Sequence, residues 1–169
     1  MNRKLLILIA MILPMLPSEY GDYYAWGETT TKLSYTENSS KTYKKNMGDI
    51  AGNSQFDAAR AKWGGLWRLP TKTEFEELLN KCKLKFVDRG GIKGYLMISK
   101  INRNSIFLPV VGWYLVDKVN MYNGRGNYWS STPDESKNEE SYSLVINSFE
   151  HRVICYPRDL GFSVRPVMK

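Results

Sequence analysis

The strongest periodic pattern in the chain is a set of apolar residues that recur at helical spacing between residues 71 and 82. Residues three and four positions apart lie on the same side of an α-helix, so the pattern predicts a helix over residues 71–81 with one apolar stripe. Trp67 and Leu69, just upstream, are expected to pack under that stripe. The stripe consists of Phe75, Leu78, Leu79 and Cys82.

Polar residues and glycines mark where the helices begin and end. Thr71 and Glu74 have the spacing of a capping box, in which each side chain accepts a hydrogen bond from the other residue's backbone amide. An earlier helix is predicted to start with Ser54 as its cap. It should end at Gly64, because glycine adopts the left-handed conformation of a helix end at little cost. Its buried face would hold Phe56, Ala59 and Trp63.

Short runs of β-forming residues, separated by turn-forming residues, predict strands in the rest of the chain. Residues 83–87 and 94–100 flank an Asp-Arg-Gly-Gly turn and predict a hairpin. In residues 141–146, Leu144 and Ile146 occupy alternate positions, which indicates a strand with one buried face. Further strands or extended segments are expected at residues 20–28, 105–111, 127–131 and 161–168. Loops are expected at residues 113–126, at 147–159 and at 29–53, the last anchored by Tyr35 and Tyr43.

The first 18 residues differ from the rest in composition. Arg3 and Lys4 precede an apolar run that is interrupted only at Pro14, which is the order of charge and hydrophobicity in a signal peptide. The run is shorter than the ~20 residues needed to span a bilayer, so no stable membrane span is expected. We therefore divide the chain into an apolar segment, residues 1–18, and a single domain, residues 19–169. The protein is expected to be secreted or displayed at the cell surface.

Composition and charge exclude several classes of function. The 169-residue chain carries a formal charge of +7, but its lysines are scattered and form no basic run. Nucleic-acid binding is therefore not expected. The two cysteines, Cys82 and Cys155, allow at most one disulfide, and the position of Cys82 on the apolar stripe predicts a buried free thiol.

Few residues are suited to catalysis. His151 is the single histidine, so metalloenzyme triads and Ser/His/Asp sites are hard to build. We expect no enzymatic activity, no cofactor and no metal. Calcium is the alternative to weigh, because an acidic stretch offers hard oxygen ligands, although such loops are usually only solvated. Those ligands would be Asp134, Glu135, Asn138, Glu139 and Glu140.

Several sequence blocks, in order, resemble the Fibrobacter succinogenes major paralogous domain family of gut and rumen Bacteroidetes. The most specific block is WRLPT with EF three residues later, at residues 67–75. The others are EYGDYYAWGETT at 19–30, QFDAARAKWGG at 55–65, GY at 94–95, NSIFLP at 104–109, YWSST at 128–132 and GFSVRPV at 161–167. The resemblance implies an α+β, C-type lectin-like fold with two helices packed on small antiparallel sheets with long loops. It also implies that the chain ends lie close together.

The beginning of the chain departs from this family. Relatives carry a first strand and a Leu-Pro-Ser-Gly block before the segment that matches residues 19–30, and this chain lacks that block. Two interpretations follow: the chain is a truncated copy, or residues 5–13 replace the missing strand. Without a first strand, residues 163–167 would form an exposed sheet edge.

The WRLPT block is also similar to the formylglycine-generating, sulfatase-modifying enzymes, which share the fold. Their oxidative chemistry uses two nearby cysteines that bind copper in the C-terminal part. Here that part contains only Cys155, while Cys82 belongs to the predicted core helix. A soft metal needs paired thiolates, so the activity is not expected to carry over.

The remaining hypothesis is a non-catalytic module that binds a protein or glycan ligand. In the resembled family, and in variable proteins diversified by retroelements that share the fold, the C-terminal stretch carries the binding face. A purely structural cell-surface module is the other alternative. Aromatic, Arg and Asn side chains are favoured at adaptable interfaces, and the predicted irregular segment offers them on what should be one exposed surface. The predicted ligand-binding residues are Asp134, Glu135, Asn147, Phe149, His151, Arg152, Tyr156 and Arg158.

Overall fold

The computed structural model describes residues 21–121 and 124–168. Within these residues the chain folds into two helices and twelve mostly short strands, so the fold class is α+β, as predicted. The helices are α1 (Ala58–Trp63) and α2 (Lys72–Lys81). The first strands are β1 (Tyr23–Tyr24), β2 (Trp67–Arg68), β3 (Cys82–Arg89), β4 (Ile92–Ser99), β5 (Ser105–Pro109) and β6 (Trp113–Leu115). The remaining strands are β7 (Lys118–Asn120), β8 (Gly126–Pro133), β9 (Glu140–Ile146), β10 (His151–Pro157), β11 (Phe162–Ser163) and β12 (Val167–Met168).

The largest sheet has five strands in the order β1-β11-β8-β9-β10. All its neighbours are antiparallel except β11 and β8, which run parallel. A second sheet has the order β3-β4-β5, and two further pairs join β12 to β2 and β6 to β7. The sheet order places β10 and β1 at the two edges of the large sheet.

The five-stranded sheet is buried on both faces. On one face, Leu144, Ile146 and Val153 pack with α2 and with the inner face of the three-stranded sheet. On the other face, Trp129 and its neighbours form a second core with residues of the long segment after β1. That second core contains Trp26, Ile50, Leu69, Trp129 and Phe162.

Helix α2 forms where the sequence predicts it. The capping box is confirmed: the Thr71 hydroxyl accepts from the Glu74 amide at 3.2 Å, and the Glu74 carboxylate accepts from the Thr71 amide at 2.9 Å. Arg68 adds a bidentate ion pair to Glu74, with N–O distances of 2.7 and 2.6 Å. The expected place of Leu69 is wrong, because Leu69 belongs to the second core and not to the apolar stripe of α2.

The start and the buried face of α1 differ from the prediction. Asp57, not Ser54, is the N-cap, and its carboxylate accepts from the amides of Ala59 and Arg60. Trp63 is 38 % exposed and does not share a buried face with Ala59. The predicted end is confirmed, since Gly64 has a φ of +64° and its amide donates to the Arg60 carbonyl.

Three predictions about strands need correction. The segment 113–126, expected as a loop, contains the β6–β7 hairpin. The segment 147–159, expected to be irregular, contains β10, which pairs with β9 along its whole length. Strand β9 is buried on both faces, because Val145 is as fully enclosed as Leu144. The hairpin of β3 and β4 is confirmed and turns at two glycines with positive φ, Gly90 and Gly91.

The two ends of the described chain meet other strands in different ways. Strand β1 pairs with β11, so Ser163 lies between Tyr23 and Tyr128 and is not an exposed edge. The single terminal strand expected over 161–168 is instead two short strands, because β12 pairs with β2 in a separate sheet. Residues 1–18, with the replacement strand proposed at 5–13, lie outside the described residues. Among the described residues, no helix is both long and apolar enough to cross a membrane.

The long segment between β1 and α1 is held by buried side chains, as expected of an anchored loop. Tyr35 is 1 % exposed, and its backbone pairs with Val116 of the β6–β7 turn. Thr42 is buried too, and its hydroxyl donates to the carbonyl of Trp26. Tyr43 is a weaker anchor than predicted: its hydroxyl donates to the carboxylate of Glu37, an exposed residue, at 3.1 Å.

Candidate functional site

The eight predicted ligand-binding residues do not share one exposed surface. Asp134 and Glu135 follow β8 at the end of the sheet where β9 begins, whereas Asn147, Phe149 and His151 surround the turn after β9. Strand β9 has seven residues, so these two groups are about 20 Å apart at ~3.3 Å per residue. The prediction of a single loop-built face is therefore wrong.

Two of the eight residues are buried and have structural roles. Arg158 is 0 % exposed and lies over the Trp26 ring, with 4.3 Å from its guanidinium carbon to the ring centre. It donates to the Lys45 carbonyl at 2.8 Å and to the Ser141 hydroxyl at 2.8 Å. Burial lowers the pKa of Arg158 to about 10. This arginine ties the long segment after β1 to the sheet.

Asn147, 6 % exposed, shapes the turn between β9 and β10. Its side-chain oxygen accepts from the amides of Phe149 and Glu150 at 2.7 and 2.9 Å, a local pattern that asparagine commonly provides in turns. Phe149, at the tip of this turn, is 82 % exposed. The turn thus presents Phe149 to solvent while Asn147 stays inside.

The predicted residues of β10 lie on different faces of the sheet. Successive side chains of a strand alternate between faces, so His151 lies on the face of Val153, and Arg152 and Tyr156 lie on the other. Tyr156 is partly buried in the second core, edge-on to Phe162 at 5.5 Å. Arg152 forms an ion pair with Glu150 at 2.8 Å. Of the strand residues, His151 alone combines exposure with a place beside a groove.

One group of potential metal ligands lies where β8 ends and β9 begins, at the end of the sheet away from the turn between β9 and β10. The ligand atoms of Asp134, Glu140 and Cys155 lie within 4.8 Å of one another, and the described residues contain no other such group. Burial and the hydrogen bond with Asp134 raise the pKa of the Cys155 thiol to about 12, so it stays protonated at neutral pH. Calcium requires six to eight oxygen ligands, and two carboxylates beside a protonated thiol do not make such a site.

A groove of about 450 Å³ lies between the β3–β4 hairpin and the turn that joins β9 to β10. Its aromatic wall is built by cross-strand pairing, because Phe86 of β3 stands directly opposite Tyr95 of β4. The two rings meet edge to face at 5.2 Å, and the His151 ring lies 6.1 Å from Tyr95. The lining residues are Leu84, Phe86, Tyr95, Gly124, Ser148 and His151.

The groove combines exposed apolar surface with polar groups. Phe86 is 51 % exposed, although Cys82 and Leu84, which lie on the same face of β3, pack in the core. Ser148 and His151 are exposed to solvent, and no hydrogen bond joins their side chains or the Tyr95 hydroxyl to another of the described residues. Burial raises the pKa of Tyr95, so its hydroxyl stays neutral. Among the residues that the structure describes, the lining contains no acidic side chain, no lysine and no arginine.

Sequence reasoning found His151 but missed Leu84, Phe86 and Tyr95. The hairpin was predicted, and its turn fixes the register that puts Phe86 opposite Tyr95. The sequence therefore predicts the pairing of Phe86 with Tyr95. It does not predict that Phe86 is exposed, because that exposure depends on how the three-stranded sheet lies relative to the turn after β9.

Comparisons with models of protein families, with curated proteins and with solved structures find no match to this chain. The resemblance described above thus rests on the sequence blocks alone.

Proposed function

We propose that this chain is a non-catalytic ligand-binding module, secreted or displayed at the cell surface, with the groove as its binding site. The observation that carries the proposal is the half-exposed Phe86 in a concave site whose polar side chains have no partner among the described residues. Concave sites with mostly apolar walls and a few converging polar groups are typical of ligand binding. The ligand is a protein segment or a glycan.

We further propose that the fold is a C-type lectin-like fold. Two features support it: the first described strand, β1, pairs with β11 near the chain end, and two helices flank small sheets linked by a long, anchored loop. A rigid scaffold of this kind can position a binding surface on its hairpins and turns.

Thiol chemistry favours binding over the oxidase alternative. Both cysteines are free, and Cys82 is buried. Cys82 begins β3 at the end of the core helix, and Cys155 lies in β10, where the potential ligands beside it are Asp134 and Glu140. The copper-binding cysteine pair of the formylglycine-generating enzymes therefore has no counterpart in these two residues.

An array experiment tests the proposal. The full chain, fluorescently labelled, is applied to an array of neutral oligosaccharides, acidic oligosaccharides and short peptides. We expect selective retention that Phe86→Ala abolishes. Phe149→Ala is the matched control, since Phe149 is an exposed phenylalanine that does not line the groove.

Two outcomes would contradict the proposal. Retention that is equal in the wild type and in Phe86→Ala would place binding outside the groove. No retention by any class of probe would favour the structural cell-surface module instead.

A further inference from the structure

We infer that the groove binds an uncharged sugar ring, as part of a neutral glycan, without calcium. This inference rests on the proposed function and specifies its ligand. Three properties of the groove support it: the orientation of its rings, its polar groups without partners among the described residues, and the absence of acidic residues, lysine and arginine from the described part of its lining.

The rings form an angled wall that suits a flat, amphipathic ligand. The planes of Phe86 and Tyr95 are inclined by 62°, and those of Tyr95 and His151 by 59°. Phe86, which is half-exposed, offers aromatic surface to the C–H groups of a sugar ring, and Leu84 extends the apolar surface. The groove volume of about 450 Å³ falls within the range of small-ligand sites.

The polar groups decide between a sugar and an apolar peptide side chain. A ligand that fills the groove removes water from the hydroxyl of Tyr95, the hydroxyl of Ser148 and the imidazole of His151. An apolar side chain would leave these groups without hydrogen bonds, which is costly for any polar group taken out of water. Sugar hydroxyls both donate and accept, so they can satisfy all three.

The lining also selects against charged ligands. A carboxylate or phosphate taken out of water needs a counter-charge, and none of the six described lining residues is a lysine or an arginine. The nearest arginine along β10, Arg152, is already paired with Glu150 at 2.8 Å. Calcium-mediated binding is unsuited to this site, because the lining residues that the structure describes include no carboxylate.

Isothermal titration of the full chain tests the inference with three kinds of probe. The neutral probes are trisaccharides of glucose, mannose, galactose and N-acetylglucosamine; the anionic probe is trigalacturonic acid; the peptide probe is N-acetyl-Ala-Phe-Ala-amide. We expect at least one neutral trisaccharide to bind in the presence of EDTA. Its affinity should fall at least tenfold in Phe86→Ala and stay within twofold in Phe149→Ala.

Tyr95→Phe is the second variant, because it keeps the buried ring and removes only the hydroxyl. We expect it to fold like the wild type and to bind the neutral trisaccharide several-fold more weakly. This variant keeps the inference testable if Phe86→Ala fails to fold.

The outcomes separate this inference from the proposed function. Binding of the peptide or of trigalacturonic acid in the groove, with no neutral sugar bound, would overturn the inference and leave the proposed function standing. Sugar binding that Phe86→Ala and Tyr95→Phe do not weaken, or that EDTA abolishes, would also overturn it. If no probe binds, both fail.

Discussion

The carboxylate of Asp57 accepts hydrogen bonds from more backbone amides than a helix cap normally does. It is 0 % exposed, and one oxygen accepts from the amides of Ala59 and Arg60 at 2.9 and 3.1 Å. The other oxygen accepts from the amides of Gly52 and Leu69 at 2.7 and 2.9 Å. Asp57 thus joins the start of α1 to the segment before it and to the WRLPT block.

This geometry predicts that Asp57→Asn is destabilising. Asparagine is as good an N-cap as aspartate, so the capping role alone predicts almost no effect of this substitution. However, the side-chain NH₂ of the new asparagine would face the backbone N–H groups of Gly52 and Leu69, which are also donors. The buried Leu69 N–H would then have lost its acceptor. An unsatisfied buried donor costs about 1–3 kcal/mol, so we expect a loss of about 1–3 kcal/mol for Asp57→Asn. For Asp57→Ala, which also leaves the Ala59 amide unsatisfied, we expect about 2–6 kcal/mol.

Urea unfolding followed by tryptophan fluorescence measures these losses through linear extrapolation. Asp88→Asn is the control, because Asp88 is exposed and one of its oxygens accepts from a single amide, that of Gly91, at 2.7 Å. An asparagine can replace that bond, so the control should stay within about 0.5 kcal/mol of the wild type. A loss below about 0.5 kcal/mol for Asp57→Asn would refute the double role of this carboxylate.

Three further predictions concern ionisation and backbone strain. Burial raises the pKa of Glu74, but hydrogen bonds from Arg68 and Thr71 outweigh it and lower the pKa. The ionised Glu74 therefore stabilises the folded state above ~4.3, the pKa of glutamate in the unfolded chain, and this stabilisation is lost as pH falls through the lower pKa of the folded state. The decrease in unfolding free energy caused by Glu74→Gln, measured in urea titrations, should therefore be smaller at pH 3 than at pH 7. The Cys155 thiol, with its pKa raised to about 12 by burial, should react with Ellman's reagent at pH 8 at least ~100-fold more slowly than free cysteine; a rate near that of free cysteine would contradict this. Val116 has a φ of +57°, so Val116→Asn should raise the free energy of unfolding by about 1 kcal/mol in thermal melts, and a lower melting temperature would argue against strain there.

The features predicted correctly from the sequence are those that local chemistry determines. The capping box of Thr71 and Glu74 needs only residues three positions apart. The β3–β4 hairpin needs only a turn that tolerates positive φ at Gly90 and Gly91. These signals act within a few residues, so one sequence is enough to detect them.

The incorrect prediction of an irregular segment where β10 lies has a different cause. The sequence from Val153 to Tyr156 has the β-branched and aromatic residues of a strand, but the charged residues around it suggested an irregular segment. Charged residues are common on edge strands, where they oppose aggregation, and β10 is an edge strand. The β-forming run was the signal that could have revealed it.

The site could be predicted only in part because burial depends on distant contacts. Arg158 is a residue type that is usually exposed, yet it is enclosed by Trp26 and by the Lys45 carbonyl, more than 100 residues earlier in the chain. Phe86 shows the reverse case: its alternation with Leu84 along the strand suggests a core residue, but it is half-exposed. Neither outcome is encoded in local spacing.

The most direct test of the groove as the ligand site is chemical-shift mapping. The full chain, labelled with ¹⁵N, is titrated to millimolar concentration with the neutral trisaccharides named above. The account predicts shifts of the amides of Phe86, Tyr95 and His151 and little change at Asp134 and Glu135, about 20 Å away along β9. Shifts confined to the end of the sheet near Asp134, or no shift at all, would contradict it.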